Sequence, residues 1–311
     1  MIKPKKLCPG DTIAIVSPSS PTKDSTAVPR GKAFLESLGY KVVLGKHVDE
    51  WRGNYIAASE EARAEDLNEL FARKDVNMIL CARGGYGALQ IIDKIDYENI
   101  KANPKIFCGY SDITSLHLAM NRFAGLVTIH GEVLTSLNAS IQPYTLDHWL
   151  RCLTTAEAHR EITLADPGKF LTAIAPGRAE GEVLGGNLSL IAASCGTFYQ
   201  PDFRGKILFF EELNEEPYQI DRYLAQMRNC GMLDGLKGVV IGECEACTDK
   251  SGYYPDIMDT FRYYFAGLGV PCLYGLPMGH TKDQAALPLG VKVRVDADAK
   301  TFEILESGVT E

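Results

Sequence analysis

The chain has 311 residues, of which 46% are hydrophobic and 23% are charged, and its formal net charge is -8. This composition is typical of globular proteins and excludes collagen-like or disordered chains. The length predicts two domains, and the acidic balance argues against a nucleic-acid partner, because duplex-binding proteins usually carry a basic excess.

Two features predict where the chain resides. The opening segment is basic, but Pro9, Gly10 and Asp11 interrupt the apolar stretch that a secretory signal needs. The longest uncharged stretch, 183–201, is too rich in Gly, Ser and Asn to cross a bilayer. We therefore expect a cytoplasmic protein that makes no contact with a membrane.

The nine cysteines also favour a cytoplasmic location. Their number is odd, their spacing is irregular, and most of them sit inside apolar runs, as reduced cysteines do. Cys244 and Cys247 form the only C-x-x-C pair, and one pair cannot build a four-ligand zinc site. We expect neither a metal site nor a redox role at this pair.

The first 130 residues alternate short apolar runs with helical patterns. Nearly unbroken apolar runs predict strands that are buried on both faces at Thr12–Val16, Tyr40–Leu44, Asn77–Ala82, Lys105–Tyr110 and Leu126–Ile129. Helices are predicted at Arg30–Leu38, Glu60–Arg73 and Asp112–Phe123. This alternation predicts an α/β domain over residues 1–136, built on a doubly wound, mostly parallel sheet.

Residues 137–177 break this rhythm with three prolines and one short helix near Leu146–Leu153, and we interpret them as an interdomain connection. A smaller α/β domain is expected over 178–311. Its predicted strands are Ala179–Leu184, Lys206–Glu211 and Gly238–Gly242, and its predicted helices are Asn187–Cys195, Gln219–Cys230 and Ile257–Phe265. Alternating apolar residues on both sides of Asp296–Lys300 predict a terminal β-hairpin.

The strongest local signal is the segment Gly109-Tyr110-Ser111-Asp112. A serine between a buried strand and a helix lies at the sheet edge where open α/β sheets bind ligands. The free N–H groups of the helix N-terminus favour an oxyanion beside it. The nucleophile-elbow pattern G-x-S-x-G is incomplete, because Ile113 replaces the last glycine. The alternative is that Ser111 only caps the helix.

The second signal is Arg83-Gly84-Gly85-Tyr86-Gly87, directly after a predicted strand. Glycines let a backbone approach a ligand closely and adopt positive φ. The segment completes neither a dinucleotide-binding fingerprint nor a phosphate loop. Two interpretations remain, a loop that donates N–H groups to an oxyanion and a tight turn between strand and helix.

Acidic residues cluster at the end of the strand Lys206–Glu211. Glu211 closes an apolar run, and since an unpaired buried carboxylate is costly, its burial would indicate a function. Glu212 and Glu215 are expected on a solvated turn, and Asp221 with Arg222 in a surface ion pair of little energetic value.

The six histidines are candidate bases. His47, His148 and His159 lie in polar surroundings and are expected at the surface. His117 follows Ser111 on a predicted helix, His130 ends a strand, and His280 lies in a Gly/Pro-rich loop. Spacing alone does not choose among these last three.

Six motifs occur together in one order along the chain: PGDTIAIVSPSS (9–20), CARGGYG (81–87), GYSDIT (109–114), GGNLSL (185–190), LFFEE with EPYQIDR (208–222) and GLPMGH with LPLG (275–290). With these motifs the chain resembles the LD-carboxypeptidases, or muramoyltetrapeptide carboxypeptidases, over nearly its whole length. The resemblance implies a serine peptidase with Ser111 as nucleophile, Glu211 as carboxylate and His280 as base.

The same resemblance implies an oxyanion hole formed by the backbone N–H groups of Asp112 and Gly85, with Gly84 as the next choice. Arg83, Gly84 and Tyr86 are expected to bind substrate, because a guanidinium can grip a terminal carboxylate in two places, and Arg222 is a further candidate. The alternative is that each arginine holds the glycine loop or a helix end in place. It also implies an N-terminal α/β domain joined to a smaller domain with β-barrel character.

Family enzymes release the terminal D-alanine of murein tetrapeptides in cell-wall recycling, need no metal or organic cofactor, and are often dimers. The resemblance therefore implies a hydrolase whose partner is a murein tetrapeptide, with a homodimer as one expected state. The microcin C immunity peptidases form a sister branch that acts on aminoacyl-nucleotide analogues. Glu132 and Glu212 depart from the family pattern and leave fine specificity open.

Three other classes compete with this interpretation. An α/β-hydrolase esterase would need the missing G-x-S-x-G. A nucleotide-binding oxidoreductase would need the failed glycine fingerprint. A silent module that binds muropeptides without turnover is the third alternative.

Overall fold

The computed structural model describes residues 1–48, 50, 55–158, 161–252 and 256–311. These residues form two compact units. Unit 1 comprises Met1–Ala156, Ala286–Pro288 and Gly308–Glu311, and unit 2 comprises Glu157–Ala285 and Leu289–Ser307. His159, expected at the surface, lies outside the described residues.

The regular elements alternate along the described chain. The strands are β1 Thr12–Val16, β2 Lys41–Leu44, β3 Met78–Cys81, β4 Ile106–Gly109, β5 Thr128–His130, β6 Thr172–Ala175, β7 Arg178–Asn187, β8 Lys206–Leu213, β9 Gly238–Glu245, β10 Cys272–Leu276, β11 Leu287–Leu289, β12 Lys292–Asp296 and β13 Thr301–Ile304. The α-helices are α1 Ala27–Ser37, α2 Glu60–Ala72, α3 Tyr97–Ala102, α4 Thr114–Ala119, α5 Pro143–Thr154, α6 Leu188–Ala193, α7 Pro217–Asn229 and α8 Ile257–Phe265.

The sheet of unit 1 has the strand order β2-β1-β3-β4-β5-β11. The pairs among β1 to β5 are all parallel. Every residue of β1, β3, β4 and β5 is buried, which is why these strands read as unbroken apolar runs. The five strands predicted from these runs are all present.

The order of these strands positions the loops that carry the sequence motifs. From the adjacent strands β1 and β3 the chain departs in opposite directions, to β2 on one side and to β4 on the other. At such a switch point the connecting loops diverge and leave a crevice at the carboxyl ends of the strands. The loops 17–20 and 83–87 and the turn at Ser111 therefore lie at one edge of the sheet.

The predicted helix over Asp112–Phe123 consists of three consecutive segments. A 3-10 turn over Ser111–Ile113 leads into α4, and a π turn over Met120–Ala124 follows it. The segment ends at Gly125, whose φ of 65° is the left-handed conformation that commonly terminates helices.

The sheet of unit 2 has the order β13-β12-β7-β8-β9-β10-β6 and is curled into a half-barrel. Strands β7 to β10 are parallel, whereas β12 and β6 join their neighbours antiparallel. The predicted terminal hairpin is present as β12 and β13. The α/β fold class, with a mostly parallel first sheet and barrel character in the second, is thereby confirmed.

The segment 137–177 contains α5 and also β6, a strand that the sequence analysis did not predict. The four-residue run TAIA is short and half-exposed, so it carries little apolar signal. Among the described residues, no helix is both long and apolar enough to cross a membrane.

Candidate active site

Ser111 lies on a sharp turn at the carboxyl end of β4. Tyr110 is extended, and Ser111 then adopts a φ of 66°, a left-handed conformation that is strained for any residue with a side chain. Such strain persists only where the surroundings hold it, as in strand-to-helix elbows that expose a nucleophile. Ser111 does not cap the helix, because Tyr110 occupies the N-cap position.

The glycine loop after β3 lies directly against this turn. A Cβ atom on Gly84 would come within 2.9 Å of the Ser111 Cβ and 3.1 Å of the Tyr110 carbonyl oxygen. Gly85 has a φ of 114°, and a Cβ there would lie 2.5 Å from the Cβ of Ser20. Glycine is therefore required at both positions by the close approach of three backbone segments.

Ser20, in the loop after β1, fastens the glycine loop. Its hydroxyl accepts a hydrogen bond from the Tyr86 N–H at 3.0 Å and donates one to the Tyr55 carbonyl at 2.7 Å. The rings of Tyr55 and Tyr86 meet edge-on with centroids 5.4 Å apart, and Tyr86 is 44% exposed. The loop that carries the candidate oxyanion donors is thus anchored by a side chain from a neighbouring strand end.

The Asp112 side chain turns inward beside the candidate nucleophile. Its Oδ2 accepts hydrogen bonds from the Ser19 hydroxyl and, at 2.8 Å, from the Ala88 N–H. Burial raises the pKa of this carboxyl, and the two hydrogen bonds oppose that rise. The carboxylate links the loops after β1, β3 and β4, while the Asp112 backbone N–H belongs to the first helical turn.

Arg63 on α2 is a buried cation that holds the same loops. Its Nη1 donates to the carbonyls of Pro18 and Gly87, both at 2.7 Å, and its Nε donates to Ala58 at 3.1 Å. The Nη2 atom donates to the Gln90 side chain at 2.9 Å. Arg63 was not predicted from the sequence, although its helical spacing from the buried Leu67 and Leu70 was a usable signal.

Two of the three histidines that remained candidate bases, His117 and His130, are buried behind the turn at Ser111. His117 is fully buried, and its Nε2 lies 2.9 Å from the Gly109 carbonyl, to which it donates. Burial lowers the pKa of His117 to about 4. The His130 ring lies 6.0 Å from Tyr110 and 6.4 Å from His117. His47 and His148, expected at the surface, are half-buried.

In unit 2 the third histidine pairs with Glu211. The His280 Nδ1 lies 2.7 Å from Glu211 Oε2. The Glu211 side chain is fully buried, whereas His280 is 14% exposed. Because a carboxylate only accepts, Nδ1 carries the proton and Nε2 is left as the basic nitrogen.

Glycines shape the pocket around the Glu211 carboxylate. A Cβ on Gly279, whose φ is 106°, would lie 2.5 Å from Glu211 Cγ and from Oε2. A Cβ on Gly242 would lie 3.0 Å from Glu211 Cβ. Backbone therefore encloses the carboxylate, and its Oε2 faces the imidazole.

Glu212 is buried as well, so the expectation of a solvated turn there was wrong. Strand β8 continues to Leu213, and its pairing with β9 shifts register between Phe210 and Glu212. Glu212 accepts hydrogen bonds from Asn187 Nδ2 at 2.7 Å and from the Ser189 N–H at 2.8 Å. Burial, with the neighbouring Glu211 charge, raises the Glu212 pKa to about 7.

The candidate substrate-binding arginines have local partners. Arg83 is half-buried, and its Nη1 donates to the Pro21 carbonyl at 3.2 Å. Arg222 is exposed and lies over the Tyr218 ring at 5.4 Å. The structure brings Ser111, Gly84, Gly85 and Arg83 together in unit 1, and Glu211 with His280 in unit 2.

This chain matches two family profiles, described as the LD-carboxypeptidase N-terminal domain over residues 13–131 and the LD-carboxypeptidase C-terminal domain over residues 180–295. It is 38% identical to a probable murein peptide carboxypeptidase of Bacillus subtilis, over 99% of this chain and 96% of that relative. It is 33% identical to a murein tetrapeptide carboxypeptidase of Pseudomonas aeruginosa, over 82% and 84% of the two chains.

Two solved structures are also similar. The microcin C7 self-immunity protein MccF, without ligand, superimposes with a TM-score of 0.90 at 27% identity and covers both chains completely. A muramoyltetrapeptide carboxypeptidase from Oxalobacter formigenes gives 0.83 at 28% identity over 96% of this chain and 100% of that one. The chain belongs to the LD-carboxypeptidase family, a family of peptidases, and the resemblance inferred from the motifs is confirmed.

Proposed function

We propose that this chain is a serine-type LD-carboxypeptidase that hydrolyses the L,D-amide bond of murein tetrapeptides and releases terminal D-alanine during cell-wall recycling. Family membership supports the peptidase class, and the names of the two curated relatives support a murein peptide as substrate. The observation that carries the proposal is the pair of His280 and fully buried Glu211, joined at 2.7 Å.

In this mechanism His280 Nε2 accepts the hydroxyl proton of Ser111 as the Ser111 oxygen attacks the scissile carbonyl. Glu211 holds the imidazole by Nδ1 and stabilises the positive charge that develops on it. The imidazolium then gives its proton to the departing amine of D-alanine. Water, activated by the same imidazole, hydrolyses the acyl-enzyme and regenerates Ser111.

The proposed oxyanion hole consists of the N–H groups of Asp112 and Gly85, with Gly84 as the alternative donor. Asp112 is the second residue of a helical turn, where N–H groups have no partner within the helix. The approach of Gly84 to Ser111 Cβ supports a donor from the same loop. A donor of this kind typically stabilises the transition state by about 3–4 kcal/mol.

A carboxypeptidase must also recognise a free terminal carboxylate, and we assign this role to Arg83, with Gly84 and Tyr86 completing the contact surface. The Nη1 of Arg83 donates to the Pro21 carbonyl, and a guanidinium carries further donors in a planar fork. Arg222 is the second choice. Substitution of Arg83 by Gln should raise KM at least about tenfold with little change in kcat.

We further propose that the protein works in the cytoplasm without a cofactor and forms a homodimer. All nine cysteines are free thiols, as expected in a reducing compartment. The homodimer rests on the family resemblance alone, and light scattering at micromolar concentration tests it.

Mass spectrometry of murein tetrapeptide incubated with the purified chain tests the proposal. Wild type should convert tetrapeptide to tripeptide with release of D-alanine. Ser111→Ala and His280→Ala should each lose at least about a thousandfold in kcat. Ser115→Ala, at a buried serine on α4, is the matched control and should keep activity. Tetrapeptide turnover by Ser111→Ala at the wild-type rate would falsify the assignment.

A microcin-immunity activity is the second candidate, favoured by the TM-score of 0.90 to MccF. That protein has been solved in complex with aspartyl sulfamoyl adenosine. Comparing kcat/KM for this compound and for murein tetrapeptide separates the two functions. Tight binding of muropeptide without turnover of either compound would instead identify a silent binding protein.

A further inference from the structure

Unit 2 contains a pair of neighbouring thiols that no sequence motif predicts. Cys195 follows α6 and Cys230 follows α7, and their sulfur atoms are 2.9 Å apart. A disulfide bond is about 2.05 Å long, so closing the pair requires a movement of less than about 1 Å. We propose that Cys195 and Cys230 form a reversible disulfide site that is oxidised by low-molecular-weight disulfides.

Backbone hydrogen bonds define the position of both cysteines. The Cys195 N–H donates to the Ala192 carbonyl at 3.1 Å, and the Cys230 N–H donates to the Gln226 carbonyl at 3.0 Å. Each cysteine is therefore the continuation of a regular helix end. The alignment of the two thiols follows from the packing of α6 against α7.

The pair is accessible from solvent. Both cysteines are half-buried and line an open groove of about 520 Å³ together with Arg222, Gln226 and Asn229. The positive charge of Arg222 at the groove favours an oxidant that carries carboxylates, such as glutathione disulfide.

The chemistry begins at Cys230. The Cys195 thiol donates its hydrogen to the Met232 sulfur at 3.2 Å. Burial, with the hydrogen bond from Cys230, raises the pKa of Cys195, so Cys195 stays protonated. The Cys230 thiolate attacks the small disulfide, forms a mixed disulfide and releases one small thiol. Cys195 then loses its proton to solvent and attacks the Cys230 sulfur, which releases the second small thiol. Two protein thiols are oxidised, and one small disulfide is reduced to two thiols.

This link would enclose the strand that carries the buried acids. Strand β8, with Glu211 and Glu212, lies between Cys195 and Cys230 in the chain. A disulfide that closes a loop of this length constrains the unfolded chain and so stabilises the folded state. The test of this site does not depend on the proposed peptidase activity, because its readouts are mass and connectivity.

The C-x-x-C pair of the same unit is the internal comparison. Cys247 is buried, and its sulfur faces the Glu245 carbonyl at 3.5 Å. Cys244 and Cys247 do not line the groove described above. The thiols of Cys244 and Cys247 also share a hydrogen bond. Because only Cys195 and Cys230 line the open groove, access from solvent favours them for exchange with a small disulfide.

The test treats the full chain with glutathione disulfide, blocks remaining thiols by alkylation in denaturant, and maps peptides by mass spectrometry. The expected product is a peptide pair joined through Cys195 and Cys230 that dithiothreitol separates. It should form at a glutathione ratio at least about tenfold more reducing than the one that modifies exposed Cys8.

Two single variants test the order of the steps. Cys195→Ser should accumulate a mixed disulfide on Cys230, and Cys230→Ser should leave Cys195 as a thiol. Substitution of Arg222 by Gln should slow oxidation by glutathione disulfide several-fold, but not oxidation by neutral hydroxyethyl disulfide.

Three results would overturn the proposal. They are complete alkylation of both wild-type thiols after oxidation, a link between Cys244 and Cys247 in place of the predicted one, and a link between two chains. The wild-type peptide map decides among them even if a serine variant fails to fold.

Discussion

The two units position their candidate functional residues by different physical means. In unit 1 the proposed nucleophile depends on backbone geometry, with Ser111 at a φ of 66° and Gly84 pressed against it. In unit 2 the proposed base depends on charge, since His280 pairs with a fully buried carboxylate and Glu212 is buried next to it. Substitutions that change side-chain volume should therefore have the larger effect in unit 1, and substitutions that change charge, or a change of pH, the larger effect in unit 2.

The largest effect should come from removing the charge of Glu211. Glu211→Gln keeps the size of the side chain but no longer stabilises a charged imidazole, so kcat should fall by about 10³–10⁴-fold. Glu215→Gln, in the loop between β8 and α7, is the control and should change kcat less than twofold. Steady-state release of D-alanine measures both, and equal rates for the two variants would contradict a role for the buried charge.

The next effect concerns the buried cation of unit 1. Arg63→Met leaves the carbonyls of Pro18 and Gly87 without their donor, and it should lower the free energy of unfolding by about 3–5 kcal/mol. Arg73→Met, at an exposed arginine near the end of the same helix, is the control and should cost less than about 0.5 kcal/mol. Urea unfolding gives both values. A small loss of unfolding free energy in Arg63→Met would show that the two loops keep their structure without the Arg63 side chain.

The third effect comes from adding side-chain volume to the glycine loop. Gly84→Ala should lower kcat by about a hundredfold, because its Cβ would displace Ser111 and the neighbouring N–H groups. Gly267→Ala adds the same methyl group at a position where no atom lies within 4 Å, and it should leave kcat unchanged. If Gly84→Ala kept wild-type kcat with a normal unfolding midpoint, backbone geometry would not control the nucleophile.

The smallest effects are the opposite pH dependences of the two units. Glu212, with a pKa of about 7 in the fold, holds a proton that the unfolded chain loses near pH 4.5, so its contribution to stability falls as the pH rises between these values. His117, with a pKa of about 4, stays neutral where the unfolded chain binds a proton below pH 6.5, so its contribution falls as the pH drops towards 4.

Urea unfolding between pH 4 and 8 measures the two slopes, each of which amounts to about 3 kcal/mol over its whole pH range. Glu212→Gln should remove the loss on the alkaline side, and His117→Gln the loss on the acid side. The glutamine at position 117 can still donate to the Gly109 carbonyl, so the comparison isolates the titration. If both variants kept the pH dependence of wild-type stability, Glu212 and His117 would not be the source of the two opposite slopes.

Local patterns were enough to predict most of the regular structure. The strands β1 to β5 were predicted from unbroken apolar runs, and α8 was predicted with its observed bounds Ile257–Phe265. The turn at Ser111 was predicted from a serine between strand and helix, and its strained φ is an observation that no sequence pattern specified. Burial on both faces leaves a strong apolar signal, whereas half-exposed β6 left none.

What the sequence determined by itself is the order of elements, the position of Ser111 and the glycine loop at a sheet edge, and, through its motifs, the family. Only the tertiary structure decided that Glu212 is buried, that Arg63 holds two loops, and that Cys195 meets Cys230. The physical reason is distance along the chain. Apolar periodicity and turn residues act between near neighbours, whereas burial and pairing depend on segments that fold together from far apart, as Glu211 and His280 do across 69 positions.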